Sequence, residues 1–190
     1  MLYFSRTRIN DIAPVEKHTK LKDLSFSRTQ VSNITPLHGL TNLQSLSIDE
    51  TPVRDISILC NLTKMKRLFL AKTQISDIKP LEYLVNLQTL DLSHTNISDI
   101  EPLRNLTKLE FLNLNDTQIK DISPLLKLDI LQNLSIRNTY LTDLSQLKNL
   151  KNLTSIHIEG IEVSEEQIDD LQKALPHLRI YRNEQNTKAL

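Results

Sequence analysis

A step of 22 residues constrains this chain more than any other feature of its sequence. Forward from Leu24 the step meets Leu46, Leu68, Leu90, Leu112, Leu134, Ile156 and Leu178, and backward it meets Leu2. Two residues further on run Phe4, Phe26, Ile48, Leu70, Leu92, Leu114, Ile136, Ile158 and Ile180. Three residues before the Leu24 column run Leu21, Leu43, Met65, Leu87, Leu109, Leu131, Leu153 and Leu175. The unbroken phase predicts no insertions, a last strand at Leu178 and Ile180, and Arg179 beside His157. A period of this size means stacked supersecondary units, none of which buries its apolar face alone.

Within a unit the apolar spacing changes once. The alternation around Leu90 and Leu92 is that of a strand with one buried face. The spacing of three in Ile97, Ile100, Leu103 and Leu106 turns one side inward, as a 3₁₀-like or irregular arc does. Stacking such coils predicts a parallel sheet of eight or nine short strands, roughly 40 Å wide at about 4.8 Å per strand. The segment "VSEEQIDDLQKAL" breaks the pattern. Ser164 and Gln167 have capping-box spacing, Ile168, Leu171 and Leu175 recur at helical spacing, and Pro176 ends the run. Little other α-helix is expected.

The pattern L-x-x-L-x-L at this period resembles the leucine-rich-repeat family. Segments such as "TQISDIKPLEYLVNLQTLDL" and "TNISDIEPLRNLTKLEFLNL" resemble its internalin-type bacterial subclass, with a unit of 22 residues. The likeness covers about residues 1–160. It implies a right-handed α/β solenoid with a concave parallel sheet and a 3₁₀ or irregular convex side. Residues 1–160 would be the repeats, 161–182 a helical capping unit and 183–190 a polar tail. The family usually has Asn in the turn after the strand. Here stand Thr7, Thr29, Thr51, Thr73, Thr95, Thr117 and Thr139, read as a structural ladder of turn hydrogen bonds whose hydroxyls can also bridge neighbouring coils. Internalin-like proteins usually carry a helical cap before the first strand, whereas Leu2 and Phe4 already hold strand positions. The expectation is a domain from a longer chain, or an end covered by a partner or by self-association, with Leu2, Phe4, Ile9 and Ile12 otherwise poorly protected.

Composition narrows the function classes. Lys and Arg balance Asp and Glu at 23 each, which argues against a dedicated nucleic-acid binder. No apolar run reaches the length of a membrane span, so no membrane insertion is expected. A lone cysteine, Cys60, and a start without a signal-peptide pattern point to the cytoplasm, though a piece of a longer exported or surface protein reads the same. The row Asp11, Asp55, Asp77, Asp99, Asp121 and Asp143, with Asn33 in the same slot, suggests turns rather than calcium. Each side chain can accept an N–H two residues ahead, and Pro often follows, as Pro102 follows Asp99. No phosphate loop, zinc pair or cofactor motif is present, so neither an enzyme nor a cofactor is expected. His94, Asp116 and Ser93 caricature a triad, but a surface contact is the better reading.

That leaves binding by the face between the leucines. Phe69 and Phe111 should project from it two coils apart, where folding needs no aromatic ring. The expected contact centres on Phe69, Asp91, Phe111 and Asn113, with Lys72, His94 and Arg67 around them, and the expected partner is a protein. The rival readings are a carbohydrate-binding surface and the recognition domain of a larger bacterial effector or regulator.

Overall fold

Each coil leaves the sheet through the same turn, and this turn explains two of the polar columns. In the computed structural model, which describes residues 1–182, the Thr95 hydroxyl donates to the Leu92 carbonyl three residues back at 2.6 Å. Thr29, Thr51, Thr73, Thr117 and Thr139 do the same to Phe26, Ile48, Leu70, Leu114 and Ile136. The bonds are turn hydrogen bonds within one coil, and among the described residues these hydroxyls do not bridge neighbouring coils. With that carbonyl occupied, the backbone N–H facing it in the next coil needs another acceptor. Ser27 Oγ serves Asp49, Asp49 Oδ1 serves Ala71, and Asn115 Oδ1 serves Arg137. Asp91 Oδ1 and Asn113 Oδ1 serve Ser93 and Asn115 within their own coils.

The residue just before each Thr is left-handed. Arg6, Arg28, Glu50, Lys72, His94, Asp116 and Asn138 have φ of 51–59°, and Gly160 has φ 77°. A non-glycine residue there costs about 1 kcal/mol, offset here by the hydrogen bonds of the turn. At Gly160 a Cβ would stand 1.9 Å from Asn138 Oδ1, so only glycine fits beside that side chain as it stands.

The strands are β1 (Leu2–Tyr3), β2 (Asp23–Ser25), β3 (Ser45–Ser47), β4 (Arg67–Phe69), β5 (Thr89–Asp91), β6 (Phe111–Asn113), β7 (Asn133–Ser135), β8 (Ser155–His157) and β9 (Arg179–Tyr181). They form one nine-stranded parallel sheet in sequence order, as the period predicts. Seven 3₁₀ turns of three to five residues return the chain between the first eight strands. Five of these turns carry Pro14, Pro36, Pro80, Pro102 and Pro124 as their second residue, where the fixed φ suits the first turn. In the slot before them, Asp11, Asn33, Asp55, Asp77, Asp99, Asp121 and Asp143 accept the N–H two residues ahead at 2.7–2.9 Å. The aliphatic columns form one continuous core, in which Leu46, Leu68, Leu90 and Leu112 are fully buried.

Further side-chain bridges between coils lie on the flank where the chain rises into the strands. Asn42, Asn86 and Asn152 donate through Nδ2 to the carbonyls of Thr19, Thr63 and Asp129, each in the preceding coil. Lys64 and Lys108 donate to the Oδ1 atoms of Asn42 and Asn86.

The C-terminal unit departs from the period. Strand β9 pairs Ile156 with Ile180 and His157 with Tyr181, a step of 24 residues. The expectation that Arg179 stands beside His157 is therefore corrected. The α-helix α1 (Glu165–Ala174) replaces the shorter 3₁₀ turns, and its small rise per residue takes up more chain. An insertion of two preserves the inward and outward alternation. Ser164 Oγ accepts the Gln167 N–H at 3.2 Å, but the Gln167 side chain does not complete a capping box. It crosses to the previous coil, donating to Thr142 O and accepting from Leu144 N. At the other end Leu2, Phe4 and Ile9 are half-buried against the core, while Ile12 is covered by the chain itself, against expectation. The predicted tail, 183–190, lies outside the described residues.

Candidate functional site

The register sets Phe69 of β4, Asp91 of β5 and Asn113 of β6 in one row, and Arg67, Thr89 and Phe111 in the adjacent row on the same face. The two rings stand two strands and two residues apart, about 12 Å between Cα atoms. Phe111 is 38% exposed and Phe69 is half-buried. The sheet therefore brings the two aromatic candidates onto one surface.

The polar candidates are engaged with one another. Asp91 Oδ1 accepts from the Ser93 N–H and hydroxyl, and its Oδ2 accepts from Asn113 Nδ2 at 3.1 Å. Asp91 and Asn113 thus cap the sheet's outgoing turns. Arg67 Nη2 reaches back over β3 to Asp23 at 3.3 Å. Lys72 and His94 stand in the left-handed turn rather than on the strands themselves. Lys72 Nζ is 3.4 Å from Glu50, which also holds Arg28 at 2.9 Å. The Arg28 hydrogen bond is the main reason that the Glu50 carboxyl lies below the usual carboxylate range. His94 Nε2 is 3.4 Å from Asp116 Oδ2. The Ser93 hydroxyl is committed to Asp91, so these residues do not assemble a nucleophile with its base.

The sheet is hollowed further toward the C-terminus. A groove of 240 Å³ runs from Phe111 and Asn113 across Asn133 and Ser135 to Arg137, Ser155 and His157. His157 stacks on Tyr181 with ring centroids 4.3 Å apart, a contact made by the displaced register of β9. Arg137 Nη2 lies 2.6 Å from His157 Nδ1, and its Nε lies 2.9 Å from Glu159. Alternation about the buried leucines places all of these residues on the exposed face, but of the groove's lining only Phe111 and Asn113 belong to the expected contact. The signal for the groove's far end was Tyr181, hidden by the assumption of a constant step.

Among the described residues no group of three or more His, Cys, Asp or Glu side chains converges to hold a metal ion, and no helix is long and apolar enough to cross a membrane.

A family model described as leucine-rich repeats, in two copies, matches residues 85–127. A search of curated proteins returned no match. Among solved structures, an internalin (inlF) from Listeria monocytogenes matches with TM-score 0.90 and 28% identity, over 97% of this chain and 54% of its own. The chain thus spans about half the length of that relative. A leucine-rich-repeat protein from Leptospira interrogans, at 21% identity and TM-score 0.77 over 89% of this chain and 50% of its own, shares the fold. An internalin C2 (inlC2), also from Listeria monocytogenes, matches with TM-score 0.89 and 30% identity, over 94% of this chain and 78% of its own. With a relative this similar along most of both chains, and with every strand, turn and 3₁₀ arc in the repeat's order, the protein belongs to the internalin-type leucine-rich-repeat family.

Proposed function

We propose that this protein is a protein-interaction module whose partner docks on the solvent face of the sheet, over β4 to β8. The observation that carries the reading is the pair Phe69 and Phe111. Both rings point away from a core that is aliphatic apart from Phe26 and, at its edge, Phe4, so packing gives no reason for them, while aromatic anchors dominate the energetics of protein interfaces. Asp91 and Asn113 serve this surface by holding the turns beside the rings. Arg67, Lys72 and His94, with their partners, form a polar rim that orients whatever docks.

The test compares proteins retained from a lysate by the wild type and by Phe69→Ala/Phe111→Ala. The double variant should lose a partner that the wild type holds, each ring contributing about 1–2 kcal/mol to binding. Stability should change by no more than about 0.5 kcal/mol per substitution, since neither ring belongs to the core. Glu82→Ala, on the arc side, is the control and should retain the partner. Equal retention by the double variant would remove the sheet's centre from the reading. A glycan is the second reading, favoured by the carboxamides and hydroxyls that line the groove beside Phe111. Retention of a glycan in place of any protein would select it.

A further inference from the structure

The cations of the sheet face and those of the ascending flank differ in one respect. On the sheet face and the turns that leave it, Arg28, Arg67, Lys72 and Arg137 of the inner coils each have a carboxylate partner, and only Arg6 and Arg179, at the two ends, have none among the described residues. On the flank stand Lys20 and Lys22, then Lys64 and Lys66 two coils on, then Lys108 two coils beyond. All five are exposed, and among the described residues none pairs with a carboxylate. The intervening coils place Asn42, Gln44, Asn86 and Gln88 in the same slots, and Glu110 is the one acid there. A neutral total charge conceals this row, because the balancing Asp row lies on the opposite flank. Those carboxylates have a local task, accepting the N–H groups of the 3₁₀ turns. Of the lysines, Lys64 and Lys108 bond, among the described residues, only to neutral carboxamide oxygens, which leaves their charge unpaired.

The row is also positioned. Asn42 and Asn86 must donate through Nδ2 to the Thr19 and Thr63 carbonyls, which fixes their Oδ1 atoms outward. Those oxygens hold the ammonium groups of Lys64 at 2.8 Å and Lys108 at 2.7 Å. Coils stack at about 4.8 Å, so Lys20, Lys64 and Lys108 form a line with steps of about 10 Å. A segment in the extended polyproline II conformation rises about 3.1 Å per residue with three residues per turn, so every third side chain returns to one face and meets every second coil.

We propose that this flank is a second interaction surface, which takes an extended acidic segment of a partner protein with carboxylates about three residues apart. A single-stranded nucleic acid fits less well. No aromatic side chain stands among these flank positions to stack a base. A second copy fits less well too. Basic flank against acidic flank is a heterologous contact, which builds open arrays unless its rotation closes a ring.

A labelled peptide of about twelve residues, with Glu at every third position and Ser or Thr between, is titrated with the protein at about 50 mM and about 300 mM salt, followed by anisotropy. Binding is expected at low salt and should weaken steeply at high salt. Lys64→Glu/Lys108→Glu should weaken it about tenfold, while Lys79→Glu/Lys127→Glu on the arc side stays within about twofold. Thermal melts check that each variant folds. If the charge reversal does not fold, Lys64→Gln/Lys108→Gln should still weaken binding about threefold. The proposal is overturned by absence of binding at low salt, by equal losses in flank and arc variants, or by tighter binding of an oligo-dT than of the acidic peptide. It is also overturned if the protein's mass in solution rises with concentration and the flank variant abolishes the rise. The Phe69 and Phe111 substitutions should leave this titration unchanged, which separates it from docking on the sheet.

Discussion

At the scale of single residues, the Thr column shows how one hydroxyl organises several neighbours. Thr95 is 4% exposed, and its hydroxyl takes the Leu92 carbonyl at the end of the coil's strand segment. Removing the donor leaves a buried carbonyl without its partner. Thr95→Val is therefore expected to cost about 1–3 kcal/mol, seen as a lower denaturant midpoint with an unchanged slope. An unchanged midpoint would mean that the neighbouring N–H groups close the gap, and that the Thr column is not structural. The Thr column was legible in the sequence as a structural feature. Its direction was not, because a hydroxyl can reach a neighbouring coil or its own carbonyl, and only the left-handed residue before it decides which. That residue had a readable signal. Asp116, Asn138 and Gly160 end their column, and these are the types that tolerate the left-handed region. Arg6 through His94 in the same column obscured it.

At the scale of elements, the last helix is joined to the coils by one carboxamide. Gln167 accepts the Leu144 N–H and donates to Thr142 O, so the start of α1 is bonded to the coil before it as well as packed on it through Ile168 and Leu171. Gln167→Leu keeps the side chain's bulk and removes both bonds. The helix is expected to loosen first, with a stability loss of about 1–3 kcal/mol and faster amide exchange at residues 165–174 than in β4 to β6. Uniform exchange in the variant would show that packing alone holds the cap. Ser164 and Gln167 stood at capping-box spacing in the sequence, and half of that motif formed. The other half did not, because the adjacent coil offers Gln167 a donor and an acceptor together.

At the scale of the whole molecule, the Asp row makes stability depend on pH. The carboxyls of Asp55, Asp121 and Asp143 lie below the ordinary value of 3.8, chiefly because each accepts the backbone N–H of the Ser two residues ahead. A lowered carboxyl stabilises the fold fully above its unfolded value, and that contribution is lost as pH falls through the folded one. The melting temperature should therefore be level from neutral pH down to about pH 5 and fall below about pH 4. Asn33 fills the same slot without a titrating charge and accepts the Thr35 N–H at 2.9 Å. The triple variant Asp55→Asn/Asp121→Asn/Asp143→Asn should thus fold and show a shallower acid limb than wild type. An equally steep limb would place the acid sensitivity in other carboxylates. Because each coil contacts chiefly its neighbours, these losses should add along the solenoid.

The sequence by itself determined the solenoid. A strict aliphatic period leaves a chain no other way to bury its apolar edges than to stack them, so strands, register through β8, 3₁₀ arcs and the Asp turns could all be read from spacing. It also placed Phe69 and Phe111 on one face, since alternation about a buried leucine is a local property. Tertiary structure decided what depends on contacts between coils. It turned the Thr hydroxyls inward upon their own carbonyls, assigned Asp91 and Asn113 to capping, and bound the coils together through Asn42, Asn86 and Asn152. It also advanced the last strand by two residues and set Tyr181 on His157, because an α-helix needs more residues than a 3₁₀ turn to span the same return.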